Sequence, residues 1–225
     1  MKVLAIKAFG GLLFLLLAMA AALFLPAWTL DYWQAWTFLA VFGVSALAIT
    51  LYLMEKDPRL LERRVYAGPT AEKETGQKIV QSLTSAGFIA MLAVPALDRR
   101  FAWSAVPAYV CLAGDALVVL GFLIVFLVYR ENSFASATIE VYANQTVIST
   151  GPYAHVRHPM YIGALIMLLG VPLALGSWWG LFAIIPMVLV IISRLVGEEQ
   201  FLARNLPGYS EYQNRVRYRL IPHIW

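Results

Sequence analysis

Charge is scarce in this chain: Asp, Glu, Lys and Arg together make up 13% of its 225 residues, about half the share of an ordinary soluble domain. Cysteine occurs once, at Cys111, which excludes an intrachain disulfide and a cysteine-built metal site. Low-complexity tracts and internal repeats are absent, as is an obvious Rossmann GxGxxG. No basic stripe is interleaved with aromatics in a soluble segment, so the net charge of +4 is no sign of a nucleic-acid partner.

What fills the chain instead is oil. Hydrophobic residues make up 61% of it, and several uninterrupted apolar runs approach the length of a bilayer-spanning helix. The reading is an all-α, polytopic membrane protein of about six transmembrane helices in one membrane domain. The spans fall near Leu4–Leu25, Trp36–Met54, Ile79–Leu97, Ala105–Tyr129, Pro159–Leu175 and Trp178–Val196. Residues 1–130 form a four-span scaffold; residues 131–225 form a loop, a helical hairpin and a polar tail. Only Gly176 and Ser177 separate the last two spans, which predicts a tight antiparallel hairpin. Pro172 and Pro186 lie within them and predict kinks. Ala18-Met19-Ala20 resembles a signal-peptidase site, but the apolar run continues through Leu25, so the first segment reads as a retained span.

Positive charge sets the orientation. With the N-terminus inside, every Lys and Arg except Arg99 and Arg100 falls on the inner face, Lys73 of the first inner loop among them. The expectation is a multi-pass integral membrane protein with both termini cytosolic. On that face, DPRLLERRV reads as a short amphipathic surface helix with Asp57 as N-cap and Pro58 at its first position. Asp115 is an expensive charge within the fourth span, and so a default candidate site.

Two polar clusters stand out against this background. One is GPYAHVRHPMYIG, residues 151–163, at the mouth of the predicted hairpin. The other is RLVGEEQFLARNLPGYSEYQNRVRYRLIP, from Arg194 onward. The short hairpin turn puts Pro159 and Val196 at one membrane depth, so the clusters must face each other. Arg194 and Glu198 share a helix face, and Glu199 is turned about 100° away. Simpler readings exist for each piece. Arg194 and Glu198 can form an i,i+4 ion pair, His158 can cap a helix, and His155 with His158 can ligate a metal. Arg157 can serve as a topological charge or headgroup contact, and Tyr209, Tyr212 and Tyr218 as interfacial anchors.

Taken together, the spaced elements between Glu140 and Pro222 resemble the isoprenylcysteine carboxyl methyltransferase family, integral membrane enzymes that use S-adenosyl-L-methionine. The resemblance implies that Gln145, Thr146, Val147 and Ile148 run along the methyl donor with their backbone. Tyr153, His158, Pro159, Met160 and Tyr161 complete the pocket. It further implies that Glu198 contacts the donor and Arg194 faces the acceptor, both counted as catalytic, with no metal; Glu140 aligns only loosely. The implied acceptor is lipophilic and enters from the bilayer, a prenylated cysteine carboxylate by family name. A carboxylate needs no general base. A phospholipid amine or a thiol would need one, from His158, Glu199 or Asp115. A nicotinamide-dependent sterol-type reductase and a non-enzymatic membrane protein are the competing classes.

Overall fold

A computed structural model describes residues 1–66 and 75–225; Lys73, counted above among the inner charges, lies outside the described residues. Within them the chain is all-helical, with no strand. Helices α1 (Lys2–Ala27), α2 (Trp33–Lys56), α4 (Thr75–Phe101) and α5 (Ala108–Glu131) are long and apolar enough to cross a membrane. So is the stretch Trp179–Asn205, which begins as a 3₁₀ turn (Trp179–Ala183) and continues as α7 (Ile184–Asn205). The predicted fifth span is different. Helix α6 (Pro159–Ala174) has 16 residues, about 24 Å of helix against a hydrocarbon core of about 30 Å. Among the described residues five helices therefore span by length, and α6 is a shorter apolar helix held inside the bundle.

The reason α6 can be short is its partner. It lies backbone to backbone along α5, and glycines make the approach possible. A Cβ on Gly114 would sit 2.8 Å from the Ala174 Cα, and one on Gly121 2.6 Å from the Gly163 carbonyl oxygen. Gly163 and Gly170 on α6 answer with Gly121 and Gly114 on α5. Lipid tails are as apolar as the side chains themselves, so close packing of small residues is what holds such helices together.

The turn after α6 is as tight as expected, with Gly176 at φ 72°. At that end a buried Asp98 on α4 accepts hydrogen bonds from the Ser177 hydroxyl (2.5 Å) and the Ser104 hydroxyl (2.6 Å). The Tyr32 hydroxyl donates to the Leu175 carbonyl at 2.7 Å. Away from the turn, α6 follows α5 while α7 packs on α4, so the hairpin opens toward the other face. Pro172 falls in the last turn of α6, where the helix is already ending. Pro186 falls in the first turn of α7, just after the span changes from the 3₁₀ turn Trp179–Ala183 to α-helix. Helix α7 runs on past Val196 to Asn205 and carries Glu198 and Glu199 beyond the apolar stretch.

Helix α3 (Pro58–Val65) is the amphipathic surface helix, with Asp57 Oδ1 accepting from the Leu60 amide at 3.0 Å. Its basic face does more than meet headgroups. Arg63 donates to the Ser133 carbonyl (2.6 Å) and Arg64 to the Ser136 carbonyl (2.8 Å), clamping the loop that follows α5. The chain closes with α8 (Tyr209–Arg215) and a polar tail.

Candidate cofactor and acceptor cavity

Where the hairpin opens, α6, α7, the loop and α8 enclose a cavity of about 800 Å³. Every residue named for donor or acceptor in the sequence lines it: Gln145, Thr146, Val147, Ile148, Tyr153, His158, Pro159, Met160, Tyr161, Arg194 and Glu198. Its other half runs between α1, α4, α6 and α7 and is walled by apolar residues such as Met19, Phe88, Leu168 and Ile191. One end is polar and the other is oil.

The loop reaches this position through its own turns. The Gln145 amide donates to the Tyr142 carbonyl at 3.1 Å, closing a turn through Asn144 at φ 62°. Glu140 also lines the cavity and accepts from the Tyr142 hydroxyl (2.6 Å) and the Thr138 hydroxyl (2.7 Å). Gly151 takes φ 55° to start the 3₁₀ turn Gly151–Ala154, and a Cβ there would meet the Glu131 carboxylate at 2.8 Å. Tyr153 accepts at its hydroxyl from Asn132 (2.9 Å) and at its carbonyl from the Tyr212 hydroxyl (2.8 Å).

The two adjacent glutamates on α7 part company. Glu198 faces the cavity and accepts from the Tyr161 hydroxyl at 2.7 Å. Glu199 is turned away from the cavity lining, buried, and joins two guanidinium groups and an imidazole. Arg157 Nε lies 2.6 Å and His158 Nε2 3.2 Å from Oε1; Arg219 Nε lies 2.7 Å from Oε2. Arg157 continues through Nη1 to the carbonyls of Val216 and Arg217, both at 2.8 Å. The Arg157 amide donates to the Tyr218 carbonyl and the His158 amide to the Arg219 carbonyl. The tail is thus stitched to the segment before α6.

Several simpler readings fail against this geometry. Arg157 is a buried ion-pair partner, 8% exposed, too enclosed to serve as a headgroup contact. His158 is the N-cap residue of α6, its carbonyl accepting from the Tyr161 amide at 3.1 Å, but its side chain makes no capping bond and meets Glu199 instead. His155 is exposed while His158 is buried, so the two do not converge on one ion. Arg194 and Glu198 are both half-buried and line the cavity, where Arg194 Nη2 donates to the Ala137 carbonyl at 2.8 Å. Tyr209 and Tyr212 are buried in a small core with Leu206 and Val147, so neither is an interfacial anchor, and burial pushes the Tyr212 phenol up to about 12. Asp115 is buried in α5 outside the cavity lining, with no hydrogen-bond partner for either oxygen among the described residues.

Sequence reasoning missed Arg219 and underrated Arg157 and Glu199. The doublet of glutamates was the available signal: neighbours on a helix point about 100° apart, and a carboxylate that turns into the protein needs cations of its own.

Comparison with known proteins falls on this same region. The model of the phospholipid methyltransferase family matches residues 109–207, which hold nearly all of α5, the loop, α6 and α7. The cobalt-zinc-cadmium resistance protein CzcN of Cupriavidus metallidurans is 30% identical over 102 residues, 44% of this chain and 47% of that protein. The delta(14)-sterol reductase TM7SF2 of Mus musculus is 31% identical over 91 residues, 39% of this chain and 22% of that protein. The chain thus matches less than half the length of either relative. The segment that builds the cavity's polar end, α6 and α7 with the loop before them, is the segment that matches the phospholipid methyltransferase family.

Proposed function

We propose that the protein is an integral membrane methyltransferase that takes its methyl group from S-adenosyl-L-methionine and passes it to a lipophilic acceptor. One observation carries the reading: a single cavity has the RHPMY residues and Glu198 at its polar end and an apolar wall at the other. The match to the phospholipid methyltransferase family supports the chemistry.

The residues present fit the donor. Tyr209 brings a buried hydroxyl with no partner among the described residues to the cavity's edge, so a polar group is there to be met. Glu198, held by Tyr161, offers a carboxylate to an ammonium or a ribose hydroxyl. The backbone of Gln145 to Ile148 offers amides and carbonyls to an adenine edge, and the faces of Tyr153 and Tyr161 suit a cation. When bound, S-adenosyl-L-methionine supplies an electrophilic methyl group on a sulfonium sulfur. The protein's own contribution is to align the acceptor and exclude water. Arg194 presents a guanidinium fork beside the donor pocket and orients a carboxylate. Glu199 holds Arg157, His158 and Arg219 in place and so fixes the pocket wall without touching the reactants.

Among acceptors, Arg194 favours a carboxylate such as that of a prenylated cysteine, with the active face on the cytosolic side and both termini there. The family match favours a phospholipid amine instead; of the three bases named above, His158 is the one that lines the cavity. Incubation of the purified protein with methyl-labelled S-adenosyl-L-methionine and each acceptor separately decides between them: label in a base-labile ester supports the first, label in the headgroup amine the second. The similarity to TM7SF2 keeps a reductase reading in play. Binding of NADPH in place of S-adenosyl-L-methionine would establish it.

A further inference from the structure

Helix α4 lies outside the segment that matches the methyltransferase family, yet it touches the arginine at the cavity's polar end. It packs against α7, and two close approaches fix how the pair is aligned. A Cβ on Gly87 of α4 would run into the Met187 side chain of α7, and a Cβ on Gly197 of α7 would stand 2.7 Å from Gln77 Nε2 of α4. The step from Gln77 to Gly87 equals the step from Met187 to Gly197, as antiparallel helices require. One glycine at each crossing lets the two helices lie close.

At the Gln77 crossing the carboxamide spans two residues of α7 that are three apart and share a helix face. Its Nε2 end occupies the space over Gly197, and its Oε1 accepts from Arg194 Nη1 at 3.4 Å. From another side, Arg194 Nη2 donates to the Ala137 carbonyl at 2.8 Å. Helix α4 and the loop after α5 thus each hold one terminal nitrogen of the guanidinium. Arg194 lines the cavity and Gln77 does not, so Gln77 acts on the cavity through the arginine.

An arginine has a long stem with many rotamers, and a misplacement of about 1 Å near reacting atoms can cost about a hundredfold in rate. A second hold on the guanidinium therefore has a use. The kind of hold matters too. A glutamate at this position would bind the arginine more strongly than an amide does. It would also add a negative charge beside the place where an anionic acceptor binds. Glutamine holds the fork and adds no charge.

We propose that Gln77 is a positioning residue: its amide, seated over Gly197, sets the Arg194 guanidinium toward the anionic group of the acceptor. The inference deepens the methyltransferase reading and rests on it for what happens to the bound anion afterwards.

The test is calorimetric binding to the full chain in detergent. The probes are S-adenosyl-L-methionine, an S-prenyl cysteine with a free carboxylate, and the methyl ester of that S-prenyl cysteine. The unsubstituted protein should prefer the carboxylate to the ester by about tenfold, the equivalent of one charge-assisted hydrogen bond. Gln77→Ala and Gly197→Ala should each cut that preference at least threefold. The double variant should lose no more than either alone, because both changes unseat the same amide. Gly197→Ala meets only the far end of a flexible side chain, so it keeps the test open should Gln77→Ala fail to fold. In both variants, affinity for the ester and for S-adenosyl-L-methionine should change less than twofold. Gln77→Glu should abolish the preference, although a residue that merely braced the arginine would be replaced well by glutamate. No preference in the unsubstituted protein, a preference that survives Gly197→Ala or Gln77→Glu, or additive losses in the double variant would overturn the inference. Absence of donor binding with this pattern intact would instead overturn the methyltransferase reading and leave the positioning role standing.

Discussion

Arg157 and Glu199 meet at 2.6 Å across 42 residues of chain, both buried. Their contact joins the segment before α6 to the end of α7, and with Arg219 it brings in the tail. A buried carboxylate with two guanidinium partners is intolerant of losing its charge, because the arginines are then left uncompensated.

Glu199→Gln should therefore cost about 3–5 kcal/mol of stability, read as a large drop in melting temperature in detergent. Glu198→Gln, one residue away but facing the cavity, should leave that temperature nearly unchanged. Equal losses in the two variants would contradict the division of labour between the glutamates.

Gly121→Ala introduces a Cβ 2.6 Å from the Gly163 carbonyl oxygen and against the Met167 side chain. A methionine side chain can move, but the backbone cannot without separating α5 from α6. Overpacking of this kind costs about 1–3 kcal/mol. Gly10→Ala meets nothing within 4 Å and serves as the control; thermal unfolding of the pair should differ accordingly.

Tyr209→Phe has opposite effects on the two states. Without donor, it deletes a buried hydroxyl that has no partner among the described residues, so stability should hold or rise. With donor, it deletes a contact, and affinity should fall by about tenfold, the equivalent of one hydrogen bond of about 1.4 kcal/mol. Melting curves with and without S-adenosyl-L-methionine show both. A loss of stability in the donor-free protein would mean the hydroxyl is structural.

Arg194→Ala should abolish methylation of a carboxylate acceptor while changing donor affinity only a few-fold. Arg194 also donates to the Ala137 carbonyl, so some loosening of the loop accompanies the change. Arg194→Lys keeps the charge but loses the fork, and partial recovery is expected for a carboxylate. Unchanged methylation in Arg194→Ala would remove it from the acceptor site.

Much of this was legible in the sequence because it rests on hydrophobicity and short spacing. Long apolar runs located the spans, Asp57-Pro58 located the start of α3, and Gly176 with Ser177 located the hairpin turn. The convergence of the RHP segment and the Arg194–Glu199 segment followed from that turn. What did not follow was anything decided by contact between distant elements. The glycines at 114, 121, 163 and 170 are ordinary one by one, and only their mutual facing shows why α6 can be short. Arg157 reads as a surface charge until the tail folds over it and supplies Glu199's other partner, Arg219. The part of the cavity lined by α1 and α4 has no local motif at all, because it is made by side chains of two helices far apart in sequence.

Calorimetric titration of the detergent-purified protein with S-adenosyl-L-methionine tests the central claim most directly, with Glu198→Ala and His158→Ala alongside. The account predicts binding by the unsubstituted protein and at least tenfold weaker binding by Glu198→Ala, whose carboxylate faces the cavity beside Tyr161. His158→Ala should weaken binding as well, since it opens the pocket wall next to Glu199. No heat of binding from folded protein, or equal affinity in all three, would contradict it.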